Sequence, residues 1–306
     1  MNDLYAAVDC GTNSVRLLLA RVIGGRVAEV DRRLHITRLG QGVDQTGEFH
    51  PDALARTFAA FADFAAQVES CGGALTRVVA TSAARDAKNS AEFFAAAKAS
   101  FGVDAEIISG GEEAELSFRG ALAGLPGIPE PVLVMDVGGG STELALGDSA
   151  QLSGAVSLDI GSVRLRERFL TSDPPTPAQL GRATDFVNGL LDASGIAFGQ
   201  AKSWVGVGGT ATCLAALSLR LPVYDSAQVH ASRLESPTLG ELAQRLSQLP
   251  VAQVRSLPAM VPGRADVICA GALICREVSR RVGLPLTVSE SDILDGIVLG
   301  MASAAG

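Results

Sequence analysis

The segment Val8-Asp9-Cys10-Gly11-Thr12-Asn13-Ser14-Val15-Arg16-Leu17 returns 127 positions later as Met135-Asp136-Val137-Gly138-Gly139-Gly140-Ser141-Thr142-Glu143-Leu144. In each copy an apolar run delivers an Asp, glycines and small hydroxyl residues turn the chain, and a second apolar run leads away. This reads as two β-hairpins, each with a carboxylate at the end of its first strand. Glycine accepts φ > 0, so such a turn can aim backbone N–H groups outward as an anion-binding concavity. Two loops of this kind, Gly11–Ser14 and Gly138–Ser141, predict a grip on a phosphate chain, with Asp9 and Asp136 placed to hold a hydrated cation. Asp-x-Gly turns are also common in ordinary hairpins, so the weight rests on finding two in register.

A chain of 306 residues exceeds what one core usually fills, and the repeat divides it into two domains. The boundary falls near Gly124 to Pro131, where three prolines in six residues stop any helix or central strand. With 47% hydrophobic and 19% charged residues the chain reads as globular rather than disordered. Charges interrupt the longest apolar runs, and no basic leader precedes Asp3, so neither a membrane span nor a signal peptide is expected. Five scattered cysteines without a CxxC pair predict buried thiols in a reducing cytoplasm. Three histidines leave little material for a zinc cluster or a Ser-His-Asp triad, which passes acid–base work to carboxylates. The formal charge is −8, with −4 on each side of Gly124, which argues against general nucleic-acid binding. A polyanionic ligand would need a locally basic groove.

Strands are predicted at Leu4–Val8, Leu17–Ile23 and Arg26–Ile36, the last entered through Gly24-Gly25. A helix over about 51–69 follows, carrying Phe58, Phe61 and Phe64 at helical spacing. The first half then alternates: strand 77–81, helix about 91–101, strand 105–108, helix about 112–122. The second half opens the same way, with strands at 132–136, 141–146 and 152–158 and a helix around 162–169. Further helices are expected near 178–191, after the strand 202–207, near 265–281 and at about 292–301, the last capped by Ser291 or Ser289, with a short strand at 286–288. Two mixed sheets covered by helices follow from this order, with a ligand site in the cleft between the domains.

Other motifs carry competing readings. Gly206-Val207-Gly208-Gly209-Thr210-Ala211 fits a dinucleotide fingerprint, with Asp225 at a tempting distance for a ribose contact. It fits equally a phosphate pocket completed by Gly208, Gly209 and Thr210. Glu112 and Glu115 open a helix, where acids are favoured by the positive end of the dipole. One carboxylate in Ser109-Gly110-Gly111-Glu112-Glu113-Ala114-Glu115 aimed into the cleft would instead serve as general base on a water. Arg85 is either a phosphate clamp, a solvated loop arginine or a partner of Asp86. Arg164, Arg166 and Arg168 read as a solvated helix face, the alternative being the lining of a polyanion path.

Taken together, Ala7 to Leu18, Ile107 to Ala114, Val134 to Leu144, Gly206 to Ala211 and Val288 to Gly296 resemble the exopolyphosphatase and guanosine pentaphosphate phosphohydrolase family of the actin-like ATPase superfamily. The resemblance implies two ribonuclease H-like (actin-like ATPase) α/β domains, each a mixed five-stranded sheet flanked by helices, over 1–124 and 125–290. A C-terminal helix, about 291–306, is expected to pack back on the first domain. By matching position Glu113 resembles the family's catalytic base. Asp9, Asp136 and Glu143 resemble the acids that organise magnesium (manganese being the alternative) and water, and Arg85 resembles a phosphate-binding arginine. Backbone N–H groups of Thr12, Asn13, Ser14, Gly139, Gly140 and Ser141, with a divalent ion, would do much of the positioning that phosphoryl hydrolysis requires.

The expected activity is hydrolysis of the terminal phosphate of inorganic polyphosphate by in-line attack of water activated by Glu113. Short to medium chains are favoured because the sequence stops at Gly306, before the helical extension of longer family members. The alternatives are a guanosine pentaphosphate phosphohydrolase, an ATP-dependent small-molecule kinase, or a non-catalytic polyphosphate or alarmone sensor. Neither nucleic acid nor membrane is expected as a partner, and the family implies a homodimer.

Overall fold

Successive side chains of a strand point to opposite faces, and the first strand sorts its residues accordingly. Ala6, Val8 and Cys10 of β1 (Tyr5–Cys10) join one core, and Ala7 joins another on the far side of the sheet. The computed structural model describes residues 4–305, and the chain divides into two compact units, Met1–Ala123 with Ser291–Gly306, and Gly124–Glu290.

In the first unit β1, β2 (Val15–Ile23) and β3 (Arg26–His35) form an antiparallel meander. β4 (Leu75–Ala80) and β5 (Ala105–Ile107) then add in parallel, giving the order β3-β2-β1-β4-β5. This is the five-stranded mixed sheet expected from the sequence. Helix Pro51–Ser70 starts with proline in its first turn, where the missing N–H costs nothing, and His50 accepts from Asp52 N as its cap. It buries Phe61 and Phe64 against Phe93 and the sheet face of Val8, Leu17 and Leu19. The opposite face carries Ala7, Leu18, Ala20 and Val79, covered by Leu116 of helix Gly110–Gly124 and by Ile293, Leu294, Ile297 and Val298 of the closing helix Ile293–Ala305. Asp292 caps that helix, accepting from Leu294 N at 3.0 Å, in place of the serines expected from the sequence.

Two glycines let those helices touch main chain to main chain. A Cβ at Gly120 would lie 1.8 Å from the carbonyl oxygen of Asp292, and one at Gly296 would lie 2.1 Å from that of Leu116. No larger residue fits at either position without moving a helix.

The second unit repeats the meander with β6 (Val132–Val137), β7 (Thr142–Gly147) and β8 (Leu152–Leu158). β9 (Ser203–Val207) and β11 (Leu286–Val288) continue it in parallel, and β10 (Arg233–Leu234) closes the edge antiparallel. The order is β10-β11-β9-β6-β7-β8, six strands where five were expected. A two-residue strand leaves no alternation to read, which is why β10 escaped the pattern. The core gathers Leu133, Met135, Leu144 and Trp204 against helices Gly208–Ser218 and Ile268–Val282.

Candidate active site

Both hairpin turns close with the same bond. Gly11 N donates to Ser14 O at 3.0 Å, and Gly138 N donates to Ser141 O at 3.0 Å. In both units the segment after the third strand then takes up the turn's carbonyls. Arg38 N and Gly40 N donate to Asn13 O and Thr12 O, while Ser162 N donates to Gly138 O and Val163 N to Gly139 O. With carbonyls turned inward, the remaining amides are left over. Among the described residues no main-chain acceptor is found for the N–H groups of Thr12, Asn13, Ser14, Gly139, Gly140 and Ser141. A run of unspent main-chain donors is an anion cradle. Glycine is needed behind each turn: a Cβ at Gly40 would lie 2.2 Å from Thr12 Cγ2, and one at Gly161 would lie 2.3 Å from the Gly139 carbonyl.

The first cradle holds two buried orphans. Asp9 Oδ1 and Asn13 Nδ2 have no hydrogen-bond partner, an expensive condition that a ligand or ion would relieve. Asp9 Oδ2 accepts from Arg16, through Nη2 at 2.6 Å and Nε at 3.1 Å, and Arg16 Nη1 reaches Asp292. Burial raises the Asp9 carboxyl above its ordinary range and outweighs Arg16, which pulls the other way.

The three acids of helix Gly110–Gly124 separate cleanly. Glu112 pairs with Arg77 at 2.9 Å and Glu115 with Arg119 at 2.5 Å, both at the surface. Glu113 is buried, and its Oε2 accepts from Arg85 Nη1 at 3.0 Å. The same Arg85 nitrogen donates to Ile108 O at 2.9 Å, so the arginine is anchored to β5's exit rather than to Asp86. Burial is the main cause that pushes Glu113 up to about 7. Arg85 opposes it, Asp9 adds repulsion, and a hydrogen bond from Thr81 lowers it again. A buried carboxyl near neutral pH beside an arginine and a second acid is the electrostatic setting of a general base.

In the second unit Asp136 and Glu143 are direct cross-strand partners, as Asp9 and Arg16 are in the first. The repeat therefore exchanges an acid–arginine pair for two acids. Opposed carboxylates repel unless something positive or proton-bearing sits with them, and Glu143 Oε1 accepts from Ser157 Oγ at 2.7 Å. Gly208 has φ +72°, and a Cβ there would fall 2.5 Å from Asp136 Oδ1, so the loop lies directly against the carboxylate. Thr210 spends its hydroxyl on Val137 O at 2.8 Å, which ties the loop to β6 and leaves only its main chain for an anion. Gly209 leaves room for the guanidinium of Arg264, whose Cζ would be 1.9 Å from a Cβ at that position.

The dinucleotide reading of this loop loses its ribose contact, because the Asp225 carboxylate caps a short helix through Ala227 N at 3.0 Å and holds Gln228. Arg164 and Arg166 are half-buried rather than solvated, with Arg166 donating to Ser172 O, and only Arg168 is exposed. Sequence reasoning assigned no role to Arg16, Thr81, Ser157, Arg264, Asp292 or the glycines 40 and 161. For Arg16 a signal existed, since the aligned repeat sets it opposite Glu143.

Two meander-first α/β units, each with an amide cradle and a carboxylate at the end of its first strand, define a phosphate-handling α/β chain. The sequence pattern of the Ppx/GppA phosphatase family matches residues 18–302. Exopolyphosphatase 2 of Mycobacterium tuberculosis is 46% identical over 313 residues, covering 97% of this chain and 98% of that protein. A crystal structure of an exopolyphosphatase-like protein superposes with a TM-score of 0.94 at 38% identity and 99% coverage of both chains. The Ppx/GppA family member of Aquifex aeolicus does so with a TM-score of 0.84 at 29% identity, over 99% and 98%. The chain belongs to the Ppx/GppA phosphatase family.

Proposed function

We infer that the chain is an exopolyphosphatase, a phosphoanhydride hydrolase that releases orthophosphate from the end of inorganic polyphosphate. The observation that carries the reading is Glu113, buried, raised to about 7 and paired with Arg85 beside the first amide cradle. The near full-length likeness to a protein named exopolyphosphatase supports the substrate.

Glu113 takes a proton from the attacking water at its carboxylate, and the water oxygen bonds to phosphorus as the bridging P–O bond breaks. The N–H groups of the first cradle hold the phosphoryl oxygens, and the unspent donors of the Arg85 fork add charge as the bond lengthens. Magnesium takes one or two carboxylates and keeps several waters. Within the first unit the orphaned Asp9 Oδ1, and within the second the facing pair Asp136 and Glu143, are each suited to such a partly hydrated ion. Among the described residues no cluster of three or more ligating side chains offers a dedicated cage. When bound, the ion would draw charge from the phosphoryl oxygens. Five free thiols agree with a reducing, cytoplasmic setting, and among the described residues no helix is long and apolar enough to cross a membrane.

The test is purified protein with magnesium, offered polyphosphate of defined lengths, guanosine pentaphosphate, and ATP with candidate acceptors. Orthophosphate released from polyphosphate, and lost in Glu113→Gln, is expected. Release from guanosine pentaphosphate alone would move the substrate. Acceptor-dependent ADP formation without hydrolysis would overturn the reading.

A further inference from the structure

A cavity of about 460 Å³ opens in the second unit where the segment Gly124–Pro129 crosses the starts of β9 and β11. It lies at the opposite end of the sheet from the phosphate cradle. Ser203 and Trp204 at the entry of β9 line it, whereas Gly208 follows that strand's last residue. Five residues at a strand's rise put about 17 Å between the two ends, so nothing in the phosphate chemistry accounts for this cavity.

Its walls are apolar, from Leu125, Ile128, Trp204, Leu284 and Pro285, and its lining contains no carboxylate. Two cations stand in it, Lys202 and Arg233, both exposed. Three arginines elsewhere in this unit are spent on acids: Arg276 and Arg280 share the buried Glu277, and Arg281 holds Asp192. Lys202 and Arg233 enter no ion pair among the described residues, although the chain carries a net charge of −8. His230 in the wall has both ring nitrogens engaged, one with Gly124 O at 3.1 Å and one with Glu290 N at 3.2 Å. It serves as a fixed wall between the two segments at which the chain passes from one unit to the other.

An open apolar pocket with unspent cations at it selects a ligand that is greasy along its body and negative at one end. We propose that this cavity binds a small amphipathic anion, its apolar body against Ile128, Trp204 and Leu284 and its carboxylate or phosphate monoester head on Lys202 and Arg233. The size of the space suits a single small molecule rather than a polymer.

Trp204 is the chain's only tryptophan, so its emission reports on this wall alone. Full-length protein titrated with octanoate, octyl phosphate, octanamide and inorganic phosphate, followed by that emission and by calorimetry, tests the proposal. Saturable binding of octanoate or octyl phosphate in the micromolar to millimolar range is expected, and the tighter of the two identifies the head group. Octanamide should bind at least about tenfold more weakly, a difference of about 1.4 kcal/mol, and inorganic phosphate should leave the emission unchanged. Lys202→Gln with Arg233→Gln should weaken the anions at least about tenfold, with circular dichroism and phosphate release unchanged. Equal binding of octanamide, no saturable binding of either anion, or undiminished affinity in the double variant would each overturn it.

Discussion

Glu113 shows how one side chain acquires a job through its surroundings. Three acids in four residues look alike in sequence, yet burial separates Glu113 from Glu112 and Glu115, which end in surface ion pairs. Replacing Glu113 with Gln keeps shape and size while removing the base. Turnover should fall by about 10²–10⁴-fold with KM little changed, and steady-state kinetics on polyphosphate checks the split. The pH profile follows from the same residue. A base works when deprotonated, so kcat/KM should rise with pH through a limb near 7, and that limb should vanish from the residual rate of the Gln variant. Stability runs the opposite way. The folded value lies above the ordinary 4.5, so the stabilisation from protonated Glu113 is fully present below about 4.5 and is lost as pH rises through about 7. Denaturant midpoints of the wild type, compared with the Gln variant across that window, should converge at its acid end and part at its alkaline end.

The cradles depend on glycines that lie outside the repeated motif. Gly161 follows β8, and its missing side chain lets the entry to helix Ser162–Phe169 rest on the main chain of Gly139 and Gly140. Gly161→Ala must displace backbone rather than a mobile side-chain tip. Overpacking of this kind costs about 1–3 kcal/mol, and a displaced turn misaligns its amides. Phosphate release should fall by up to about a hundredfold, with only a modest drop in melting temperature. A variant with unchanged kinetics would show that the turn is not held from behind. The two hairpins were legible because Asp, Gly and hydroxyl residues recur in register at both sites. Gly40 and Gly161 were not, since a glycine that merely makes room looks the same in a sequence as one that turns a chain. The edge strand Arg233–Leu234 was hidden for another reason: its pairing is set by β11, through Thr287 and Leu286, and not by its own pattern.

At the scale of the whole chain, the first unit is closed by a segment that follows the entire second unit in sequence. The sequence pattern predicted the closing helix, but its destination came from resemblance, because periodicity names a buried face and never the partner that covers it. Ile293, Leu294, Ile297 and Val298 are at most 2% exposed and cover the sheet face of Ala7, Leu18 and Val79. Each buried aliphatic side chain contributes about 1.5–3 kcal/mol, so the four together supply about 6–12 kcal/mol, as much as the whole stability of a typical domain. Asp292 is lost with them, which removes one of the two carboxylates that Arg16 reaches. A chain ending at Glu290 should therefore keep the second unit folded and leave the first unit open. The second unit is one continuous segment, Gly124–Glu290, with its own core. Hydrogen exchange read by mass spectrometry should find protection in β6, β7 and β9 of the shortened chain and rapid exchange in β1, β2 and β4. Adding residues 291–306 back as a separate peptide should restore protection to the first sheet. Full protection of β1 without the peptide would mean that the helices of the first half close the sheet unaided.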